Sequence, residues 1–148
     1  MKVPRHALWL VLILMAYGIL ALIYSVATPI FEASDEVSHY AVVQHIVNTG
    51  KLPVQQPGVK TAWDQEGSQP PLYYLLVSPV ARLIDTRDAA DRMYRNPHAA
   101  PGDPSLDANR NLIIHSPAED FPWHKTTLAV HLIRLVSILM GAGTVGLS

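Results

Sequence analysis

ALWLVLILMAYGILALIYSVA, residues 7–27, followed at once by TPIFEASDEVSHY, residues 28–40, is the passage on which the fold turns. The first segment carries no charged side chain and reaches the roughly 20 apolar residues needed to cross a hydrocarbon core. The second holds Glu32, Asp35, Glu36 and His39 within a few positions. Charge at the edge of hydrocarbon is costly unless it is solvated, paired or put to use. Lys2 and Arg5 precede the apolar run. Basic flanks stay in the cytoplasm, which places residues 1–6 inside and the acidic cluster outside. A cleaved signal peptide is the competing reading. Its apolar region spans only about 7–15 residues, and Ser25-Val26-Ala27 is an imperfect cleavage signal, so the helix is read as uncleaved.

Outward from the cluster, Ser34 is placed to cap a helix that starts at Asp35, on which His39 falls beside both Asp35 and Glu36. That reading gathers one compact patch for proton transfer. It also suggests a divalent metal held by Asp35, Glu36 and His39, although three ligands without a visible fourth are a weak set. Val37, Tyr40, Ala41, Val43 and Val47 recur with a helical period, and Gly50 and Pro53 mark the stop. The pattern predicts an amphipathic surface helix near 35–49. Residues 55–68 read as loop. Gln69-Pro70-Pro71 then leads into a second surface helix near 71–84, too short to span and carrying Pro79.

The middle of the chain is more polar. Asp88 with Arg92, and Asp91 with Arg95, have the favourable i,i+4 order of a solvated helix face. Residues 96–107 read as loop, and Leu112-Ile113-Ile114 as a short strand or a buried anchor. His115, Glu119 and His124 are read as ordinary loop residues in preference to a second site. Phe121-Pro122-Trp123 has the character of an aromatic belt at a membrane interface. The last apolar segment, 128–148, carries His131 and Arg134 in its first two turns and returns the chain inward.

Composition sets the outer limits. Of 148 residues 49% are hydrophobic and 16% charged, and the net charge is −1. No basic stripe interleaved with aromatics is present, which sets nucleic acid aside as a partner. With 0 Cys there is neither a disulfide framework nor a thiolate metal site. The expected fold is an all-α membrane protein of the plasma (inner) membrane. Two transmembrane helices, 7–27 and 128–148, flank an extracytoplasmic loop, 28–127, with amphipathic surface helices. Because the second apolar helix has barely finished at Ser148, the chain is read as the N-terminal part of a longer membrane protein.

Phe31-Glu32-Ala33-Ser34-Asp35-Glu36 with His39-Tyr40, then Gln69-Pro70-Pro71-Leu72-Tyr73-Tyr74, then Arg134 early in the next helix, resembles the first module of the GT-C superfamily. Those proteins are multi-spanning glycosyltransferases that use polyprenyl-phosphate sugars, among them the protein O-mannosyltransferases, the lipid A aminoarabinose transferases and family 39-like bacterial proteins. The likeness extends over nearly the whole chain and rests on the order of the parts. It implies a transfer from a polyprenyl-phosphate sugar to an acceptor at the outer membrane face, with Asp35 as the base and Glu36 beside it. It also implies substrate contacts from His39, Gln69, Tyr73 and Arg134, the last near the lipid phosphate. Some members use a divalent metal and others do not. The alternative is a non-catalytic two-span protein whose outer loop binds a partner or a polysaccharide.

Overall fold

The computed structural model describes residues 5–100 and 110–147. Lys2 and part of the 96–107 loop lie outside the described residues. Five α-helices follow one another: α1 (Arg5–Ala27), α2 (Glu36–Thr49), α3 (Leu72–Arg82), α4 (Ala89–Arg92) and α5 (Lys125–Leu147). Single 3-10 turns occupy Asp64–Ser68 and Pro117–Glu119. Among the described residues there is no strand, and one isolated antiparallel bridge joins Arg95 to Ile113. Within Leu112-Ile113-Ile114, Ile113 is a buried anchor, 1% exposed, with a single bridge, while Ile114 is 49% exposed.

Among the described residues two helices are long and apolar enough to cross a membrane, His6–Ala27 and Lys125–Leu147. They run side by side along α1 and the second half of α5. The close approach is made at Gly141, where an added Cβ would lie 2.0 Å from the Tyr17 hydroxyl. That hydroxyl donates to the Ile138 carbonyl at 3.2 Å. α1 is apolar all round and exposed nearly all round, with Trp9 64% and Leu20 67% exposed. A helix of that kind calls for an apolar environment on every side.

α5 is divided. Its buried residues, Thr126, Thr127, Ala129, Val130, His131 and Ile133, all lie in the first nine positions, and Leu135 and Leu139 beyond them are exposed. The expected span of 128–148 is thus half core helix and half apolar helix. The first nine residues of α5 pack with α2, α3 and α4 around Ile30, Phe31, Tyr40, Val42, Val43, Tyr74, Val77, Ala81, Ala89, Ile113, Val130 and Ile133. α2, expected as a surface helix, has Ser38 and residues 40–43 buried. Gly50 ends α2 as the sequence predicts, with φ 68° and its N–H bonded to Ile46 O at 2.8 Å.

The start of α2 departs from expectation. The helix begins at Glu36, and Asp35 at the cap has φ 60° with no side-chain cap bond. Ser34 caps nothing; its hydroxyl lies 3.4 Å from Asp35 Oδ2. α5 takes its cap from a distant element. Asp88 Oδ1 accepts from the Thr126 N–H at 3.2 Å and its hydroxyl at 2.6 Å, a negative charge at the positive end of a helix. Trp123 stacks on His131 at 3.6 Å just outside that first turn.

Because residues 126–133 complete the core, a fragment covering residues 28–125 is expected to lack cooperative unfolding in detergent, whereas the intact chain shows it. Thermal circular dichroism of both checks this. A sharp transition in the shorter fragment would mean that the outer domain closes without α5.

Candidate functional site

The acidic turn between α1 and α2 is held by Arg134. Its Nε donates to Glu36 Oε1 at 2.6 Å and its Nη2 to Glu36 Oε2 at 2.7 Å, a two-pronged ion pair. Nη1 donates to Ser25 O and Thr28 O, each at 2.7 Å, and Nη2 also reaches Pro29 O at 3.0 Å. A guanidinium has five N–H donors, and here every one has an acceptor. Three of those acceptors are carbonyls at and just past the C-terminal end of α1, which the helix itself cannot satisfy and a cation suits. Glu36 Oε2 accepts in addition from the Phe31 N–H at 2.6 Å. Both side chains are largely enclosed, 11% exposed for Arg134 and 18% for Glu36.

The other members of the cluster go elsewhere. The single patch expected from helical spacing does not form: Asp35 lies outside the helix, exposed and in contact with Ser34, while Glu36 is taken by Arg134. His39 turns to Tyr74, its Nδ1 2.8 Å from the hydroxyl, with its Nε2 3.7 Å from Glu66 Oε2. Asp35, Glu36 and His39 therefore do not converge on a common point. Among the described residues no group of three or more His, Asp or Glu side chains is placed to hold a metal ion. Glu66 itself is 4% exposed, a buried carboxylate to which the sequence analysis assigned no role. Burial above all, and then the charge of Glu66, push the Tyr74 hydroxyl up to about 12, so that Tyr74 keeps its proton.

A cleft of about 390 Å³ opens between the C-terminal end of α1, the first half of α5 and the start of α2. Its lining combines the aliphatic Ala21, Val130, Ile133 and Ile138 with the polar Glu36, His39, Tyr73 and Arg134. Tyr73 meets Ser137 across it at 2.9 Å. Asp35 follows directly after Ala33 and Ser34 of the lining. Of the residues expected to contact substrate, His39, Tyr73 and Arg134 share this cleft. Gln69 does not; it borders a smaller hollow of about 210 Å³ with Leu52, Pro53 and Tyr74.

On the other side of the turn is a second network, where the sequence reading saw a solvated helix face at Asp88 and Arg92 and ordinary loop residues at His115 and Glu119. Glu32 accepts the N–H groups of Leu112 at 2.9 Å and Ile113 at 3.0 Å. Its Oε1 also meets His115 Nε2 at 2.8 Å, and His115 Nδ1 meets Glu119 Oε2 at 2.7 Å. Arg92 extends the line, 3.5 Å from Glu119 Oε1 as a charge contact and 2.5 Å from Ser116 Oγ, with Asp88 Oδ2 3.4 Å behind it. Asp88 and Arg92 are 15% and 17% exposed, not a solvated face. His124 is exposed and takes no part. The i,i+4 spacing of His115 and Glu119 was the one available signal; Glu32 as the third member had none.

Compared with known proteins, the chain matches no family model, and neither a curated protein nor a solved structure matches it significantly.

Breaking a buried pair by removing one partner costs about 3–5 kcal/mol, because the other charge stays buried alone. Arg134→Ala is therefore expected to be among the most destabilising single changes in the chain. Arg134→Lys should recover only part of the loss, because an ammonium has three donors and no fork. Chemical unfolding of the two variants and of Glu36→Gln measures the order. Equal stability of Arg134→Ala and the parent chain would remove the pair from its structural role.

Proposed function

We propose that this chain is the first module of a membrane-embedded glycosyltransferase of the GT-C type, in which the cleft receives a polyprenyl-phosphate sugar. One observation carries the reading. Between the C-terminal end of α1 and the first half of α5, a single cleft combines aliphatic and polar lining residues, and the exposed carboxylate of Asp35 lies in sequence between its lining residues Ser34 and Glu36. A polyprenyl phosphate has the same two-part character. The order of motifs along the chain is the other support.

In the proposed transfer the Asp35 carboxylate takes the proton of the acceptor hydroxyl while its oxygen bonds to the anomeric carbon. The bond from that carbon to the phosphate oxygen breaks, and the electron pair leaves with the lipid phosphate. Glu36 is not the base in this scheme, because both of its oxygens are bound by Arg134. An entering phosphate competes with Glu36 for the guanidinium fork. Asp35 is held at φ 60°, an unfavourable conformation for a residue with a side chain. Strain of this kind persists where the surroundings fix it and is concentrated at working sites.

The accompanying topology has the N-terminus in the cytoplasm and residues 28–127 outside. Support for an interfacial position of α3 comes from its two faces. Tyr74, Val77, Ser78 and Ala81 are buried in the core, while Leu72, Leu75, Leu76 and Leu83 form an opposite stripe 65%, 49%, 48% and 88% exposed. The Tyr73–Ser137 bond sets the first turn of α3 beside the exposed half of α5. The chain has no cysteine, so single cysteines introduced at position 60 and at Leu76 report cleanly. Position 60 should react with an impermeant maleimide from outside, and Leu76 should react only after the bilayer is dissolved. Labelling of position 60 from the cytoplasmic side alone would overturn the topology.

For the chemistry, Asp35→Asn in the complete enzyme should abolish transfer with the protein level unchanged. Loss of a general base typically costs about 10²–10⁴-fold in rate. Near-parental turnover would take Asp35 out of the mechanism and favour the alternative, an outer loop that binds a partner or polysaccharide without catalysis.

A further inference from the structure

His115 sits between two carboxylates contributed by segments far apart in the chain. One of its ring nitrogens is 2.8 Å from Glu32 Oε1 and the other 2.7 Å from Glu119 Oε2. An imidazolium has two N–H donors and satisfies both contacts. A neutral imidazole has one donor and one lone pair. Whichever tautomer forms, one carboxylate then faces a lone pair at hydrogen-bond distance, and that contact becomes repulsive. The site is sheltered, with His115 20%, Glu32 14% and Glu119 10% exposed, so little water is on hand to relieve it.

What Glu32 does makes this consequential. It belongs to the turn that carries Asp35 and Glu36, and through the Leu112 and Ile113 N–H groups it joins that turn to the 112–119 segment. The neighbouring Phe31 is fully buried at φ 66°, a conformation that a bulky residue keeps only under constraint. We propose that Glu32, His115 and Glu119 form a proton-operated clasp, closed when His115 is an imidazolium and released when it is neutral, which fixes the turn bearing Asp35. The clasp follows from the geometry of the turn and holds whatever chemistry Asp35 performs.

The charged groups facing the clasp favour the closed form. Glu32 comes from the turn after α1 and Glu119 from the 3-10 turn at Pro117–Glu119. Arg92 of α4 touches Glu119 at 3.5 Å and is itself backed by Asp88. Burial disfavours the charge on His115, but the hydrogen bonds and charges of Glu119 and Glu32 outweigh it and raise the imidazole above its ordinary 6.5. Burial likewise opposes the Glu32 carboxylate, but the two N–H groups and His115 outweigh it and hold Glu32 below its ordinary 4.5. A base that gains affinity for protons on folding contributes fully below 6.5 and loses that contribution as pH rises through its higher folded value. The Glu32 contribution is present above 4.5 and fades as pH falls through its lower folded value. The clasp is closed between these limits and opens on the alkaline side.

Hydrogen exchange at the Leu112 and Ile113 amides reads the clasp directly in the full chain in nanodiscs. With intrinsic exchange corrected for pH, protection should fall by roughly tenfold as pH rises from neutral toward 9, on the scale of one charge-assisted hydrogen bond. His115→Gln cannot titrate and should show no step. Glu119→Gln keeps the histidine but removes one of its two anions, and should move the step to lower pH. That second variant decides the matter if His115→Gln fails to fold. Protection that stays flat with pH in the parent chain, or a step that persists unchanged in either variant, would overturn the clasp.

Discussion

Arg134 directs five N–H groups to Glu36 and to three backbone carbonyls at Ser25, Thr28 and Pro29. A guanidinium half-way along an apolar helix and largely out of water would be costly on its own. Complete satisfaction of its donors removes that cost, and the same bonds fix three pieces of backbone at once. The C-terminal end of α1 is closed, the turn to α2 is set, and α5 is held in register against both. A lysine there would lack the donors and the planar fork to make the same connections.

The register set by Arg134 explains how one helix serves two environments. Above it, the first nine residues of α5 are buried with α2, α3 and α4, and the Asp88 carboxylate caps them at their start. Below it, the helix runs beside α1 with its large apolar side chains exposed. The cleft lies at this change of surroundings, and its lining mixes aliphatic with polar side chains.

Glu32 and Glu36 leave the same turn in different directions. Glu36 binds the arginine of α5, and Glu32 binds the 112–119 segment through His115 and two backbone N–H groups. Directly before each of them the backbone has a residue with positive φ, Phe31 and Asp35. Each costs on the order of 1–3 kcal/mol and survives only where the surroundings over-determine it. The two carboxylate anchors supply that constraint, and they leave Asp35 as the acidic residue of the turn that faces solvent. In the proposed glycosyl transfer this division separates the carboxylate available for protons from those that hold the frame.

Local patterns in the sequence are enough for the apolar run 7–27, the stop at Gly50, the helix after Gln69-Pro70-Pro71 and the polar middle of the chain. These follow from hydropathy and 3.6-residue periodicity, which depend on near neighbours. Of the four residues that the sequence analysis names as substrate contacts, His39, Tyr73 and Arg134 line one cleft and Gln69 lines another. Tertiary structure alone decided the partners. Helical spacing put Asp35, Glu36 and His39 on one patch, but a left-handed residue at the helix start sent each to a different place. Arg134 meets Glu36 across 98 residues and His115 meets Glu32 across 83. No local period encodes such pairs, because they are chosen when α5 and the 112–119 segment close over the turn and every buried charge must find its counter-charge.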